Sequence, residues 1–350
     1  MPVYHKRLRA ALVAFAVAAP VHAHAGAFAG DMATGWDWLA ATDEIQTEGV
    51  FWDDFFGDGK DRWKTGGITQ AYVFPEHIFS NGNWFEGRAS ALELNVRALV
   101  MTPDDTAFAG VNGDDRPFAQ YAAIGLYLRS IARPEALTPM VAVQVEDRVG
   151  IEVGWQGDPL PLFDVQSSLH GMTGTNGDAG NLSNTIDGEL LVNLEARRTW
   201  RFHIDGSGAG ARRDLEFAPF VQTSLGMREN SLRAGGDFFV GSALEGRTWG
   251  SDLSTGAVMA GASMPRQGFN WTVFFGGDVG YIASDAFLDG GFAGGGPSVP
   301  RRDIVGRARA GLLLEYNNLG VGFSLNWLGP EFRGQSDGQV VGAIQLKYRL

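Results

Sequence analysis

The chain of 350 residues contains no cysteine and only six histidines. Without cysteine it can form no disulfides, so its fold must depend on burial and backbone hydrogen bonding. Basic residues are also few: the chain has 28 of them and 40 acidic residues, which gives a formal net charge of -12. Such an acidic chain makes nucleic acid an unfavourable partner. After the N-terminal segment, no apolar run approaches the roughly 20 residues that a membrane-spanning helix needs.

The first 25 residues predict a secretory signal peptide. Three basic residues precede an apolar run at 10–19, and small residues follow at Ala23 and Ala25. The run is too short for a membrane anchor, which is the alternative. Removing residues 1–25, which carry three basic residues and no acidic ones, would change the formal net charge from -12 to -15. We therefore expect an exported domain at residues 26–350.

Glycine is abundant, at 49 residues, and apolar residues alternate with polar ones in many segments. Over residues 188–205 the even positions are mostly apolar and the odd positions mostly charged or polar. The same period-2 pattern recurs at 91–101 and at 340–350, and a tight hairpin is predicted across Asn317 and Asn318. Each pattern is typical of a strand with one apolar face.

The strand pattern predicts an all-β fold, a single antiparallel transmembrane β-barrel of about twelve strands. Many segments are close to the roughly 9–11 residues that a tilted strand needs to cross a membrane. Trp155, Tyr316 and Trp327 fall at strand ends, as in aromatic girdles at membrane interfaces. A soluble β-sandwich is the alternative. Further strands are expected near residues 45–55, 67–75, 121–131, 140–155, 214–226, 231–241, 254–264 and 269–281.

Charged residues on the polar strand faces should point into such a barrel. In a barrel of eight to twelve strands, inward charges commonly pair across the lumen and fill it. The expected inward charges are Glu93, Arg97, Glu195, Arg197 and Arg201.

Three of the six histidines follow the predicted signal peptide, so any histidine catalysis must use one of them. His203 lies on a polar strand face and His77 follows a strand, so both are expected to be structural. His170 ends the segment GDPLPLFDVQSSLH, where a short helix would place Gln166 and His170 on one face at i and i+4. A neutral imidazole near a bilayer surface can take a proton from water. A loop histidine without chemistry is the plainer interpretation of the residue alone.

A second cluster of chemical interest is the acidic segment FWDDFFGDGKDRWKTGG. It contains Asp53, Asp54, Asp58, Asp61 and Thr65. Carboxylates and hydroxyls are oxygen ligands that calcium accepts, although the spacing does not fit an EF-hand loop. A solvated acidic loop is the alternative.

In their order, these motifs resemble the outer-membrane lipid A 3'-O-deacylase family. WDDF and DRWKTGG stand where that family has an Asn-Asp pair and DRxYTNG. DDRPFAQ matches DRPYAG, GDPLPLFDVQSSLH matches a stretch ending in QxxxH, and FLDG matches a turn of the same sequence. Here Asp53, Lys64 and Gly66 replace the family's asparagine, tyrosine and asparagine. The resemblance spans residues 45–350. It implies that this chain is a twelve-stranded barrel that hydrolyses an acyl ester of lipopolysaccharide with the help of calcium.

The resemblance also implies roles for particular residues. His170 would be the general base for water, on a helix face shared with Gln166. Asp54 and Thr65 would occupy active-site positions, with Asp53 in place of the family's asparagine.

Metal and substrate contacts follow from the same resemblance. Calcium would be held by Asp53, Asp54 and Glu189 and would stabilise the developing oxyanion. The basic side chains expected to pair with lipid A phosphates are Arg62, Lys64 and Arg116.

Two other functions fit the sequence. A barrel without catalysis, acting as a small channel or a structural protein, would carry the same inward charges. A phospholipase would use a serine nucleophile, for which Ser167 and Ser168 adjoin His170. In every case the chain is expected in the bacterial outer membrane, as a monomer.

Overall fold

The structure, a computed structural model, describes most of the chain from residue 44 onward. The predicted signal peptide and His77 lie outside the described residues, and residues 169–173 are described by their backbone alone. The described ranges are 44–60, 62–75, 88–105, 113–138, 141–173, 182–204, 214–242, 244, 247–263 and 267–349.

Those ranges contain fifteen strands and one α-helix. The helix is α1 (Leu162–Thr173), followed by a 3-10 turn (Leu182–Asn184). The strands are β1 (Gln46–Asp53), β2 (Trp63–Pro75), β3 (Arg88–Thr102), β4 (Ala119–Ala132), β5 (Glu135–Thr138), β6 (Val141–Gln156), β7 (Glu189–Ile204), β8 (Asp214–Gly226), β9 (Glu229–Gly241), β10 (Arg247–Ser251), β11 (Val258–Ser263), β12 (Phe269–Asp285), β13 (Ile304–Tyr316), β14 (Leu319–Leu328) and β15 (Gln339–Arg349).

Twelve of these strands close into an antiparallel barrel, so the predicted fold class is confirmed and the sandwich is excluded. Each wall strand pairs with its neighbours in chain order, and β4 pairs with β6 because the short β5 only extends the edge of β6. Pairing of β1 with β15, from Gln46 opposite Arg349 to Asp53 opposite Gly342, closes the ring. A closed ring leaves no unpaired strand edge, which lipid requires.

The burial pattern is that of a membrane barrel, with apolar side chains outside. In β14 every second residue, from Leu319 to Trp327, is an exposed apolar side chain, while Gly320, Ser324 and Asn326 face inward. The tight hairpin at Asn317 and Asn318 joins β13 to β14 as predicted. Outward apolar and inward polar residues are the arrangement expected of a wall in contact with lipid.

Aromatic residues mark two levels on the outer wall. Phe269 and Tyr316 lie at one end and are 63% and 64% exposed, whereas Tyr281, Trp155 and Trp327 lie towards the other. The twelve steps from Phe269 to Tyr281 rise about 28 Å along the barrel axis at a tilt of about 45°, close to the thickness of a bilayer core. The predicted girdle is therefore present. Among the described residues no helix is long and apolar enough to cross a membrane.

The two ends of the barrel differ in their connections. Gln46, Arg349 and the two-residue hairpin lie at one end, and the opposite end carries α1 and the long connections 157–188 and 286–303. Outer-membrane barrels have short periplasmic turns and longer extracellular loops. We therefore take the end that carries α1 as extracellular.

Ion pairs fill much of the lumen, as the inward charges predicted. Glu93 on β3 pairs with Arg129 and, at 2.8 Å, with Arg148. Arg97 pairs with Glu152 at 3.0 Å. All five side chains point away from lipid, and their ion pairs link β3 to β4 and, across β4, to β6.

An inner hairpin, β10 and β11, lies inside the lumen beside these ion pairs. The sequence predicts a wall strand at 254–264; this is wrong, because β11 pairs only with β10 and lies inside. Gln46 accepts a hydrogen bond from the Ser263 amide at 2.8 Å, and Thr69 donates one to Asp252 at 2.8 Å. The wall thus satisfies these two buried polar groups of the hairpin.

Deleting the inner hairpin should open the barrel to ions. Replacing residues 247–263 with a short glycine-serine linker removes the only described chain segment within the lumen and leaves a water-filled path beside the ion pairs. We expect measurable single-channel conductance in planar bilayers from the deletion variant and none from the wild type. If the correctly folded variant also shows no conductance, the wall side chains alone seal the lumen.

Candidate functional site

The helix α1 lies against the outer, lipid-facing side of the wall. Along β3 the outward residue Val96 is 42% exposed, but Val100 and Thr102, further along the same face, are only 6% and 3% exposed. Val100 belongs to an apolar cluster with Phe163 of α1 and Phe118. Helix α1 therefore covers the extracellular end of β3 from outside the barrel.

Three contacts fix the start of α1. The side chain of Gln120 on β4 accepts a hydrogen bond from the Leu162 amide at 3.0 Å and so satisfies one free N–H at the helix start. The Phe163 ring meets Phe118 edge to face, with ring centroids 5.8 Å apart. Phe118 is itself tied to the segment after α1, because its amide donates to the Asn184 carbonyl at 3.0 Å.

The predicted helix that carries Gln166 and His170 is confirmed. Both residues lie within α1, one turn apart, so they share one helix face. Gln166 is half-buried, and the side chain of His170 lies outside the described atoms. The Ser168 hydroxyl donates to the Asp164 carbonyl at 2.8 Å. That serine is engaged within its own helix.

A β-bulge brings Thr65 to the same part of the wall. The register of β2 against β3 shifts between Lys64 and Gly66, so Thr65 is the extra residue. Its hydroxyl lies 2.7 Å from that of Thr102, and both side chains are buried. Because Thr102 follows Val100 on the outward face of β3, the hydroxyl pair lies on the lipid side of the wall. We call Thr65, Thr102 and the covering helix α1 the outer site.

Asp53 and Asp54 end β1 beside the outer site but face different ways. The alternation of β1 directs Asp53 outward, and its carboxylate lies beside Gly66 of the adjacent strand. A Cβ on Gly66 would meet Asp53 Oδ2 at 3.2 Å, so glycine leaves room for the aspartate. Asp54 is buried and organises the turn, where it accepts the Arg62 amide at 2.8 Å.

The three carboxylates expected to hold calcium are distributed around the ring. Glu189 begins β7, five strands from β1, and its carboxylate accepts hydrogen bonds from Gln156 at 2.7 Å and from the Phe292 amide. Among the described residues no three His, Asp or Glu side chains gather as a metal site would require. As arranged, Asp53, Asp54 and Glu189 therefore do not fit a shared calcium site.

The basic residues expected to bind lipid A phosphates are all engaged with carboxylates. Arg62 stacks over the Trp63 ring at 3.9 Å and pairs with Asp104 at 3.2 Å. Lys64 and Arg116 share Glu331, and both face the lumen mouth rather than the outer site.

No sequence pattern pointed to Glu331. Burial raises the pKa of its carboxyl, while Lys64 and Arg116 lower it, and the net result is a pKa below the ordinary value. It follows an apparently ordinary strand end, and only the closure of the ring brings it to the two cations. Thr102 and Gln120 were missed for the same reason: their partners lie far away in sequence or on another element.

The fold and the outer site define a class: an outer-membrane barrel with a filled lumen and a helix laid on its lipid-facing wall near the cell surface. The chain belongs to the LpxR family, since the family model described as "Outer membrane protein LpxR" matches residues 10–350. This confirms the family predicted from the order of the motifs. It also agrees with the predicted location in the bacterial outer membrane.

A solved structure supports the fold. LpxR from Salmonella typhimurium is similar at 17% identity and a TM-score of 0.67, over 87% of this chain and 99% of that one. The translocator domain of the autotransporter NalP from Neisseria meningitidis is 10% identical, with a TM-score of 0.36 over 88% of this chain and 89% of that one. No curated protein matches the chain.

Removing the Phe163 ring should loosen α1 from the wall. Replacing a buried phenylalanine by alanine costs about 3–5 kcal/mol, and here the loss falls on the contact that seats the helix. We expect Phe163→Ala to become sensitive to proteolysis within α1 while the barrel stays folded. Val165→Ala, at an exposed position of the same helix, should behave as wild type. Equal resistance of both variants would mean that α1 is held by other contacts.

Proposed function

We propose that this protein is a monomeric outer-membrane hydrolase that removes an acyl chain from lipid A, with His170 as the general base. One observation carries the proposal. Val100 faces lipid yet is buried against Phe163 of α1, so the helix that bears His170 lies where an ester of a lipid in the outer leaflet can reach it. Membership of the LpxR family gives the proposal its reaction class.

The proposed reaction needs one base and one water molecule. His170 takes a proton from water as the water oxygen attacks the ester carbonyl carbon. The tetrahedral intermediate then breaks its bond to the ester oxygen, and the leaving alkoxide takes the proton back from the imidazolium. The products are a free fatty acid and lipid A with one more hydroxyl group. Gln166, on the same face of α1, is suited to orient the base or the water.

The hydroxyls of Thr65 and Thr102 offer polar contacts on an otherwise apolar wall. Two hydroxyls 2.7 Å apart can share one hydrogen bond between them and leave one further O–H free to donate. In the proposed reaction this free donor faces the ester carbonyl. Acyl chains would lie along the exposed apolar positions below, such as Val96 and Ile124.

The lipid A of expressing cells provides the test. Mass spectrometry of lipid A from cells that express the protein should show a species lacking one acyl chain, and cells with an empty vector should not. A non-catalytic barrel is the second candidate, and identical lipid A in both cultures would favour it. In the described part of the chain, the inner hairpin and the ion pairs fill much of the lumen, which disfavours a function as an open channel.

Calcium dependence is a separate prediction, which comes from the family resemblance. Asp53 and Asp54 alone would leave most of the six to eight oxygen ligands of calcium to water and substrate, so we assign no catalytic step to the metal. We expect chelator to suppress acyl removal by the purified protein and added calcium to restore it. Full activity in excess chelator would mean that these carboxylates serve only the fold of the turn.

A further inference from the structure

The extracellular mouth of the lumen contains a cavity separate from the outer site. Its volume is about 520 Å³, including the part open to solvent. Leu253 and Ser254, at the tip of the inner hairpin, close it from below, and the segments that follow β12 and β14 form its upper walls. Among the described residues, the cavity therefore lies at the extracellular end of the lumen.

Cations outnumber carboxylates in this mouth cavity. Its lining includes six basic side chains and three acidic ones, a formal excess of three positive charges in a chain of net charge -12. The basic residues are Lys64, Arg116, Arg228, Arg233, Arg301 and Arg302, and the acidic residues are Glu229, Asp285 and Glu331.

Carboxylates outside the cavity reduce the imbalance but do not remove it. Arg228 pairs with Glu152 at 3.1 Å and with Glu195 at 2.8 Å. These two carboxylates also pair with Arg97 and Arg148. Arg301 is balanced by Asp289 at 2.9 Å. Arg233 pairs with Asp278 at 3.0 Å, but that one carboxylate also serves Arg307 and Arg309. An excess of partly buried positive charge favours a bound anion.

Two arginines of the cavity have guanidinium N–H groups that can bind a ligand. Arg116 is 1% exposed, and its Nε has no hydrogen-bond partner among the described residues. Its guanidinium shares the single carboxylate of Glu331 with Lys64. Arg302 is exposed at the opening and donates through Nε to the Phe332 carbonyl at 3.1 Å, with no carboxylate within 4.0 Å in the described part of the chain.

We propose that the mouth cavity binds a phosphate group, carried by the saccharide part of lipopolysaccharide or free in solution. Guanidinium groups recognise phosphate through paired, charge-assisted hydrogen bonds. The buried Arg116 and Lys64 hold the phosphate, and Arg302 contacts it from the opening, where an attached sugar would remain. The site is independent of hydrolysis, since no ester takes part.

Calorimetry on the purified barrel in detergent tests the site. The probes are inorganic phosphate and the phosphorylated saccharide left after complete deacylation of lipopolysaccharide, in buffer free of phosphate and sulfate. We expect wild type to bind at least one probe, and phosphatase treatment of the saccharide to abolish its binding. Tighter binding of the saccharide identifies lipopolysaccharide as the source, whereas equal binding of inorganic phosphate identifies the free ion.

Matched variants make the result specific. Arg302→Gln should weaken binding roughly tenfold, the worth of one charge-assisted hydrogen bond, and Glu331→Gln should strengthen it because a competing carboxylate is removed. Arg333→Gln, an exposed arginine outside the cavity lining, should bind as wild type. Absence of binding by folded wild type, equal weakening by Arg302→Gln and Arg333→Gln, or undiminished binding of the dephosphorylated saccharide would each overturn the proposal.

Discussion

His170→Ala is expected to abolish acyl removal from lipid A, with a fall in rate of about 10²–10⁴-fold, the usual contribution of a general base. The loss follows because no other histidine of the described residues lies on the extracellular rim: His203 sits near the opposite end of β7. Mass spectrometry of lipid A from matched cultures measures the loss. Purified enzyme with short incubation times separates slow turnover from none.

The matched control for His170→Ala is Val165→Ala on the same helix, which should keep full activity. Thr65→Val tests the opposite side of the outer site, and we expect a smaller loss because one hydroxyl of the pair remains. If His170→Ala removes the acyl chain as fast as wild type, then the base lies elsewhere and the proposed mechanism is wrong. The family assignment would be untouched by that outcome.

Glu93→Ala is expected to produce a large loss of stability. The Glu93 carboxylate is 1% exposed and contacts two arginines, Arg129 and Arg148. Removing it leaves two buried guanidinium groups without one of their neutralising carboxylates. Breaking a buried ion pair in this way lowers the free energy of unfolding by about 3–5 kcal/mol. Urea unfolding in lipid vesicles, followed by the mobility shift of folded barrels on gels, measures the change.

The control for Glu93→Ala is Val96→Ala, three residues along the same strand but facing lipid. Its side chain is 42% exposed to the membrane, so the substitution should change the free energy of unfolding by less than about 1 kcal/mol. Equal effects of the two substitutions would mean that the lumen ion pairs contribute no more than a lipid contact. The barrel would then be held by its backbone hydrogen bonds alone.

The wall of the barrel was largely predictable from sequence, because alternation is a local property. In β7 the predicted span 188–205 agrees closely with Glu189–Ile204, and its two faces are assigned correctly. The order of the motifs also identified the family. Helix α1 was predictable because a run of twelve residues can be judged without knowing what it packs against.

The inner hairpin shows what alternation does not reveal. Residues 254–264 contain a strand, but both its faces meet protein, and Val258 and Met259, adjacent in sequence, are both buried. A short apolar run has the same local signal whether it lies in the wall or inside. Its partners, such as Gln46 and Gln345, lie more than 80 residues away.

Residue roles at the rim were the least predictable part. Arg62, Lys64 and Arg116 lie in recognisable motifs, yet their partners Asp104 and Glu331 come from other loops that meet only when the ring closes. The bulge at Thr65 also interrupts the alternation of β2, so the face of Lys64 or Thr65 does not follow from the pattern in the rest of the strand. Sequence order therefore grouped residues that the fold divides between the outer site and the mouth cavity.

The position of α1 on the outer wall is the central claim, and chemical cross-linking tests it most directly. Since the chain has no cysteine, two cysteines can be introduced and joined by a short bifunctional maleimide in intact cells. The pair Leu162→Cys with Val100→Cys, which keeps the Phe163 ring in place, should cross-link efficiently because Leu162 packs against the cluster that contains Val100. The pair Leu162→Cys with Met101→Cys, on the lumen face of the same strand, should not. Equal cross-linking of both pairs, or a preference for Met101, would contradict the account.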